Sequence, residues 1–216
     1  MFSGLFPTLA LAAMTVGSLH ALAPDHWVPF AALARAQQWS ASRTARVTLV
    51  CGFGHVTVSV LFGLLGLVFG IELFEAFGRR MESLAGVLLV AFGLIYAAWG
   101  LRRAAGRHIH GHAHARYDHV HDPGRMTVRG LFLLFSADPC VAVVPLLFAA
   151  APLGALRTVL LVALYEAATL VTMVVLVLPA RAGAGLLRGR YFARYGDATA
   201  GGLIVLTGLV VGLLGW

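Results

Sequence analysis

Apolar residues run along this chain in long stretches, punctuated by short clusters of arginine. Six stretches approach or exceed the roughly 20 residues that a helix needs to cross a bilayer. They fall at 5–30, 47–71, 82–101, 130–151, 155–179 and 199–216. The pattern predicts an all-α integral membrane protein with six transmembrane helices. The first stretch is too long for one regular helix, and Pro24 and Pro29 lie inside it. A proline removes one backbone donor and clashes with the preceding turn, so a first helix broken at its prolines is expected. Residues 1–21 lack a basic leading segment, and His20 stands where a cleavage region would be needed, so they are read as part of this span.

Composition strengthens the membrane reading. The 216 residues are 60% hydrophobic and 12% charged, about half the charge of an ordinary soluble domain. A net charge of +7 would suit nucleic acid, but the arginines punctuate apolar runs and form no patch with aromatics. Their placement sets orientation instead. Thirteen arginines fall in the first, third and fifth loops, against Arg79, Arg80 and Arg157 on the other side. The arginine-rich side is cytoplasmic by the positive-inside rule, so both termini are expected outside a bacterial-type inner membrane. Residues 1–101 and 130–216 then form two three-helix halves of opposite orientation, joined by a cytoplasmic loop at 102–129. A faint echo between residues 23–30 and 137–146, each with one Asp and two Pro, supports a 3+3 inverted repeat.

The polar residues inside the spans carry the chemistry. His20, Asp25 and His26 lie within seven residues of one apolar span. Ionisable groups there cost several kcal/mol and need a partner or a wet cavity. A divalent transition-metal ion supplies a common reason, because imidazole nitrogens and a carboxylate suit nickel, cobalt or zinc. Asp25 either coordinates directly or orients a ligand histidine through its second nitrogen. A regular helix would put His20 and His26 about 240° apart, so the Pro24 break must bring the rings together. His55 in the second span and Asp138 in the fourth extend the candidate metal set, with Glu166 and Cys140 as pathway candidates. Counting inward from the arginines puts His26, His55 and Asp138 about 13 Å deep, and His20 and Glu166 about 22 Å deep. Two layers of one pathway are therefore expected. Gly52 and Gly54 read as close-approach positions beside His55, and Thr57, Ser59, Thr169 and Thr172 as interhelical hydrogen-bond residues.

The third loop holds His108, His110, His112, His114, His119 and His121, six histidines in fourteen residues. Alternating histidines at an interface capture borderline divalent ions with exchangeable affinity.

His20-x4-Asp25-His26 resembles the H-x4-D-H signature of the nickel/cobalt transporter family, and Phe53-Gly54-His55-Val56-Thr57-Val58 is similar to that family's second motif. The span count and histidine loop are similar to its short six-span branch, which includes efflux and urease-accessory membrane proteins. The resemblance implies transmembrane transport of Ni²⁺ or Co²⁺ as substrate, with metal recognition at His20, Asp25, His26 and His55. No permanently bound cofactor is expected, and no enzymatic activity, since no nucleophile–base pair or hydrolytic metal motif stands outside the spans. Expected partners are the lipid bilayer, the metal ion and a cytoplasmic metal-enzyme assembly factor. Two alternatives stand beside it. One is a metal-delivery accessory protein, motivated by the histidine loop. The other is a thiol–disulfide electron carrier, because Asp138-Pro139-Cys140-x4-Pro145 is similar to the Pro-Cys-x-x-x-Pro element of such carriers. That cycle needs Cys51 to reach Cys140.

Overall fold

The computed structural model describes residues 5–69, 71–106, 123–137, 142–183 and 190–214. Every element among them is helical. α1 (Leu5–Ala21) and α2 (Pro24–Ala36) are followed by α3 (Ala41–Phe69) and α4 (Ile71–Gly106). α5 (Pro123–Ser136) and α6 (Val143–Ala150) come next, then a 3-10 turn (Ala151–Leu153), α7 (Ala155–Gly183) and α8 (Arg190–Leu214).

Among the described residues, four helices are long and apolar enough to span a membrane: Ala41–Leu67, Gly86–Ala105, Ala155–Gly183 and Arg194–Leu213. The α1–α2 pair makes a fifth candidate, bent by 52° at its break. Large apolar side chains point outward on all of these, with Leu11 69% and Ile95 72% exposed. Water would not tolerate so much exposed hydrocarbon, whereas lipid does.

The first span breaks as its prolines predict, but only one of them acts. Pro24 opens α2 at the first helical position, where a missing amide hydrogen costs nothing. Pro29 lies inside α2 without ending it. The bond it forfeits falls on the first turn, and burial of Phe30, Leu33 and Ala34 holds the rest of the helix. The fourth stretch is not one helix either, since α5 stops at Ser136 and α6 starts at Val143. The third is longer than expected, since α4 extends back to Ile71.

α4 and α8 form the tightest seam. On α4, Gly86 meets Gly208 and Gly212 of α8, Gly93 meets Gly201 and Val205, and Gly100 meets Asp197 and Ala198. A spacing of seven keeps small residues on nearly one face, so backbones touch. A Cβ on Gly93 would lie 2.7 Å from Val205 N, and one on Gly208 would lie 2.8 Å from Val90 N.

Contacts also gather the arginine-bearing helix ends at one side of the molecule. Gln37 Nε2 donates to Tyr96 Oη (3.1 Å), which donates to Asp197 Oδ1 (2.8 Å). Arg103 Nη1 donates to Asp197 Oδ2 at 3.0 Å. This chain ties the exit of α2 to the end of α4 and the start of α8. Trp39 Nε1 donates to Gln37 Oε1 and extends it towards α3.

Two apolar clusters fill the interior. One includes Phe30, Cys51, Phe135 and Ile204, and the other Val56, Leu147, Leu161 and Tyr165. Along α3 they meet between Cys51 and Val56, at His55.

Gly93→Val should overpack the α4–α8 seam and lower stability by about 1–3 kcal/mol. Gly202→Ala, where no atom lies within 4 Å of the added carbon, should leave stability unchanged or raise it by up to about 1 kcal/mol. Thermal unfolding in detergent checks both, and equal midpoints for the two variants would contradict the seam.

Candidate metal centre

Three imidazoles meet where the two apolar clusters join. His20 comes from the last turn of α1, His26 from the first turn of α2, and His55 from the middle of α3. One ligand atom from each lies within 4.8 Å of the other two. Among the described residues this is the one such group of three. The ring centroids are 4.2 Å apart for His20–His26, 5.1 Å for His26–His55 and 6.0 Å for His20–His55. His26 and His55 are buried, at 3% and 1% exposure.

The break between α1 and α2 makes this geometry possible. Leu22 and Ala23 leave the helical path, with Leu22 N donating to Leu19 O and Ala23 N to His20 O. The 52° turn swings His26 back towards His20. Residue counting through the break overestimates depth for the same reason. His20 therefore shares one level with His26 and His55, and the expected two-layer arrangement does not hold for it.

Hydrogen bonds set the tautomers of two rings. His26 Nδ1 donates to Asp25 Oδ1 at 2.9 Å. His55 Nδ1 donates to the Phe135 carbonyl oxygen at 3.0 Å. With the proton on Nδ1, each ring keeps its lone pair on Nε2, the arrangement in which ligating histidines are usually oriented by carboxylates and backbone carbonyls. His20 Nε2 is buried without a hydrogen-bond partner among the described residues. Of the two roles open to Asp25, the contact with His26 is that of orienter.

The Phe135 carbonyl is available for a chemical reason. In a continuing helix its donor would be the amide of residue 139. That residue is Pro139, which has no amide hydrogen. α5 ends one residue after Phe135, and the unspent carbonyl takes the His55 proton. Sequence reasoning did not assign Phe135 a role. The Asp138-Pro139 pair is the signal that pointed nearby.

Glycines let neighbouring helices close on His55, as expected. A Cβ on Gly52 would lie 2.5 Å from Leu170 Cδ2, and one on Gly54 would lie 2.8 Å from Phe132 Cε2. On the other side of the site, a Cβ on Gly17 would lie 2.7 Å from Tyr165 O. Thr169 Oγ1 shares its proton between Tyr165 O of its own helix at 2.9 Å and Gly17 O at 3.3 Å, the second being the interhelical contact expected of it. Ser59 Oγ donates to His55 O within its own helix.

The remaining candidates separate. Glu166 is half-buried on α7, with Oε1 lacking a partner among the described residues, and it is not one of the group formed by His20, His26 and His55. Asp138, Cys140 and the histidines at 108, 110, 112, 114, 119 and 121 lie outside the described residues. Cys51 is a buried free thiol one helical turn from His55.

Chemically, the three nitrogens make a tripod. Bonds of about 2.0–2.1 Å to a tetrahedral ion require donor separations of about 3.4 Å. The longest edge must contract by about 1.4 Å, which imidazole rotation can supply. The rings are neutral ligands, and the Asp25 carboxylate one bond away supplies negative charge against a dication.

Compared with family models, curated proteins and solved structures, the chain matches none.

Asp25→Asn keeps the size of the side chain and removes its charge. The affinity of the purified protein for Co²⁺, measured by calorimetry, should fall roughly 10–100-fold, as for other orienting carboxylates. An unchanged affinity would show that Asp25 does not act through His26.

Proposed function

We propose that this protein carries a divalent transition-metal ion across a membrane, with Ni²⁺ or Co²⁺ as its cargo. One observation carries the reading: three imidazoles from three helices converge to within 4.8 Å at the junction of two apolar clusters. Borderline nitrogen donors favour late first-row ions over calcium or magnesium, which prefer oxygen. Three donors also leave a coordination position open, unlike the closed four-ligand cage of a structural ion. An ion that must enter and leave is better served by the open arrangement.

His20, His26 and His55 are the ligands in this reading, and Asp25 orients His26. The spans number six, in two inverted halves, with α5–α6 as counterpart of the α1–α2 pair. In support, each pair is interrupted near an adjacent Asp and Pro, Pro24-Asp25 in one and Asp138-Pro139 in the other. Asp138, Glu166 and Cys140 serve the path beyond the tripod, and the histidines of the 102–129 loop capture ions at the arginine-rich face. That face is cytoplasmic, and the membrane is a bacterial-type inner membrane. The resemblance of the His20-x4-Asp25-His26 and Gly54-His55 motifs to the nickel/cobalt transporter family points to the same cargo. The protein acts as a carrier and not as an enzyme. The tripod favours this over thiol–disulfide exchange, because Cys51 is buried among apolar side chains.

Flux of radiolabelled Ni²⁺ and Co²⁺, measured in both directions across proteoliposomes, tests the proposal. His20→Ala, His26→Ala and His55→Ala should each lower saturable flux by at least about tenfold. Thr57→Ala, on an exposed position of the same α3 helix, should retain it. Wild-type flux in all three histidine variants would overturn the reading.

A further inference from the structure

A second polar feature lies at the arginine-bearing end of the α3–α5 seam and takes no part in the tripod. It is a cavity of about 540 Å³, lined by Ser40, Ser42, Arg43, Arg46 and Arg129 over two valines. Among the described residues, no acidic side chain lines it. The ion pairs among the described residues are Asp25–His26 and Arg103–Asp197, so neither neutralises these arginines. Three guanidinium groups around one concavity repel one another, and an anion shared among them removes that repulsion.

The surroundings are built for an anion in other ways. Ser40 caps α3, its Oγ accepting the Arg43 amide hydrogen at 3.2 Å, and no acid occupies that helix's first turn. The positive end of the helix dipole therefore faces the cavity without a resident counter-charge. The Arg43 guanidinium is stacked 5.1 Å above the ring of buried Trp39, which limits its freedom before any ligand arrives. Arginine forks match phosphate oxygens in pairs, and the serine hydroxyls donate to the remaining oxygens.

We propose that this cavity binds a phosphate group, held by Arg43, Arg46 and Arg129. Two sources carry that chemistry: the headgroup of a phospholipid in the adjoining leaflet, or free inorganic phosphate. The cavity opens at the first turns of the apolar segment Ala41–Leu67, the level at which phospholipid phosphates lie. A phosphate bridging Arg46 and Arg129 ties α3 to α5. Those are the two helices joined farther along by the His55–Phe135 hydrogen bond.

The test uses the purified full chain. Retention of phosphatidylglycerol against phosphatidylcholine is read by native mass spectrometry, and thermal unfolding is followed with and without inorganic phosphate. Wild-type protein should retain phosphatidylglycerol selectively. Arg46→Gln and Arg129→Gln should each weaken retention roughly fivefold. A double control, Arg102→Gln with Arg181→Gln, removes charge elsewhere and should keep it. If inorganic phosphate stabilises the wild type and displaces the lipid, and both single variants lose that response, the site stands with free phosphate as its source. Equal loss in the control and the cavity variants would mean diffuse electrostatic attraction, and no response to either probe would mean no site. Both results overturn the proposal. Metal flux enters neither readout, so these outcomes are independent of the carrier function.

Discussion

Everything at the centre of this molecule depends on the interruption at Leu22 and Ala23. An uninterrupted helix would carry His20 and His26 to different faces and about 9 Å apart along its axis. The break lets α1 end on one imidazole and α2 begin with another, their ring centroids 4.2 Å apart. It also puts Asp25 in the first turn of α2, where a carboxylate is favoured by the unsatisfied amides of the helix start. A group that would be costly in hydrocarbon is thereby stabilised twice, by the helix end and by the His26 ring.

The remainder of the fold serves to hold that interruption in place. α7 presses on α1 at Gly17, and α3 is gripped between α7 at Gly52 and α5 at Gly54. Each contact has a backbone or large side chain filling the space a Cβ would need, so His55 is presented at a fixed distance from the broken span. The α4–α8 seam stands apart from the site and is lined by glycines on both helices, an arrangement that brings the two backbones into van der Waals contact.

Much of this was legible in the sequence because membranes impose coarse, local rules. Long apolar runs announced the helices, Pro24 announced the break, and the anomaly of His20, Asp25 and His26 in such a run announced the centre. His55 was legible as an ionisable residue inside the second apolar span. What did not show was anything set by three-dimensional closure. Depth counted along the chain failed at His20 because a bend shortens the path. Pro29 looked equivalent to Pro24, yet its lost bond falls where tertiary burial outweighs it. The role of the Phe135 carbonyl was invisible, since every residue has a carbonyl and only an unspent one matters. The link from Gln37 through Tyr96 to Asp197 joins residues up to 160 positions apart, beyond the reach of any local pattern.

The two orienting acceptors also differ in how they are inherited. Asp25 is encoded by its own codon, and one nucleotide change can erase its charge. The Phe135 oxygen belongs to the main chain, so any amino acid at position 135 would still present it, provided α5 stops where it does. The contact to His55 is therefore indifferent to the side chain at 135, and it is the packing of the ring against Phe30 that calls for phenylalanine there. The heritable element is the termination of the helix, and the positions that end it are where selection would leave its mark.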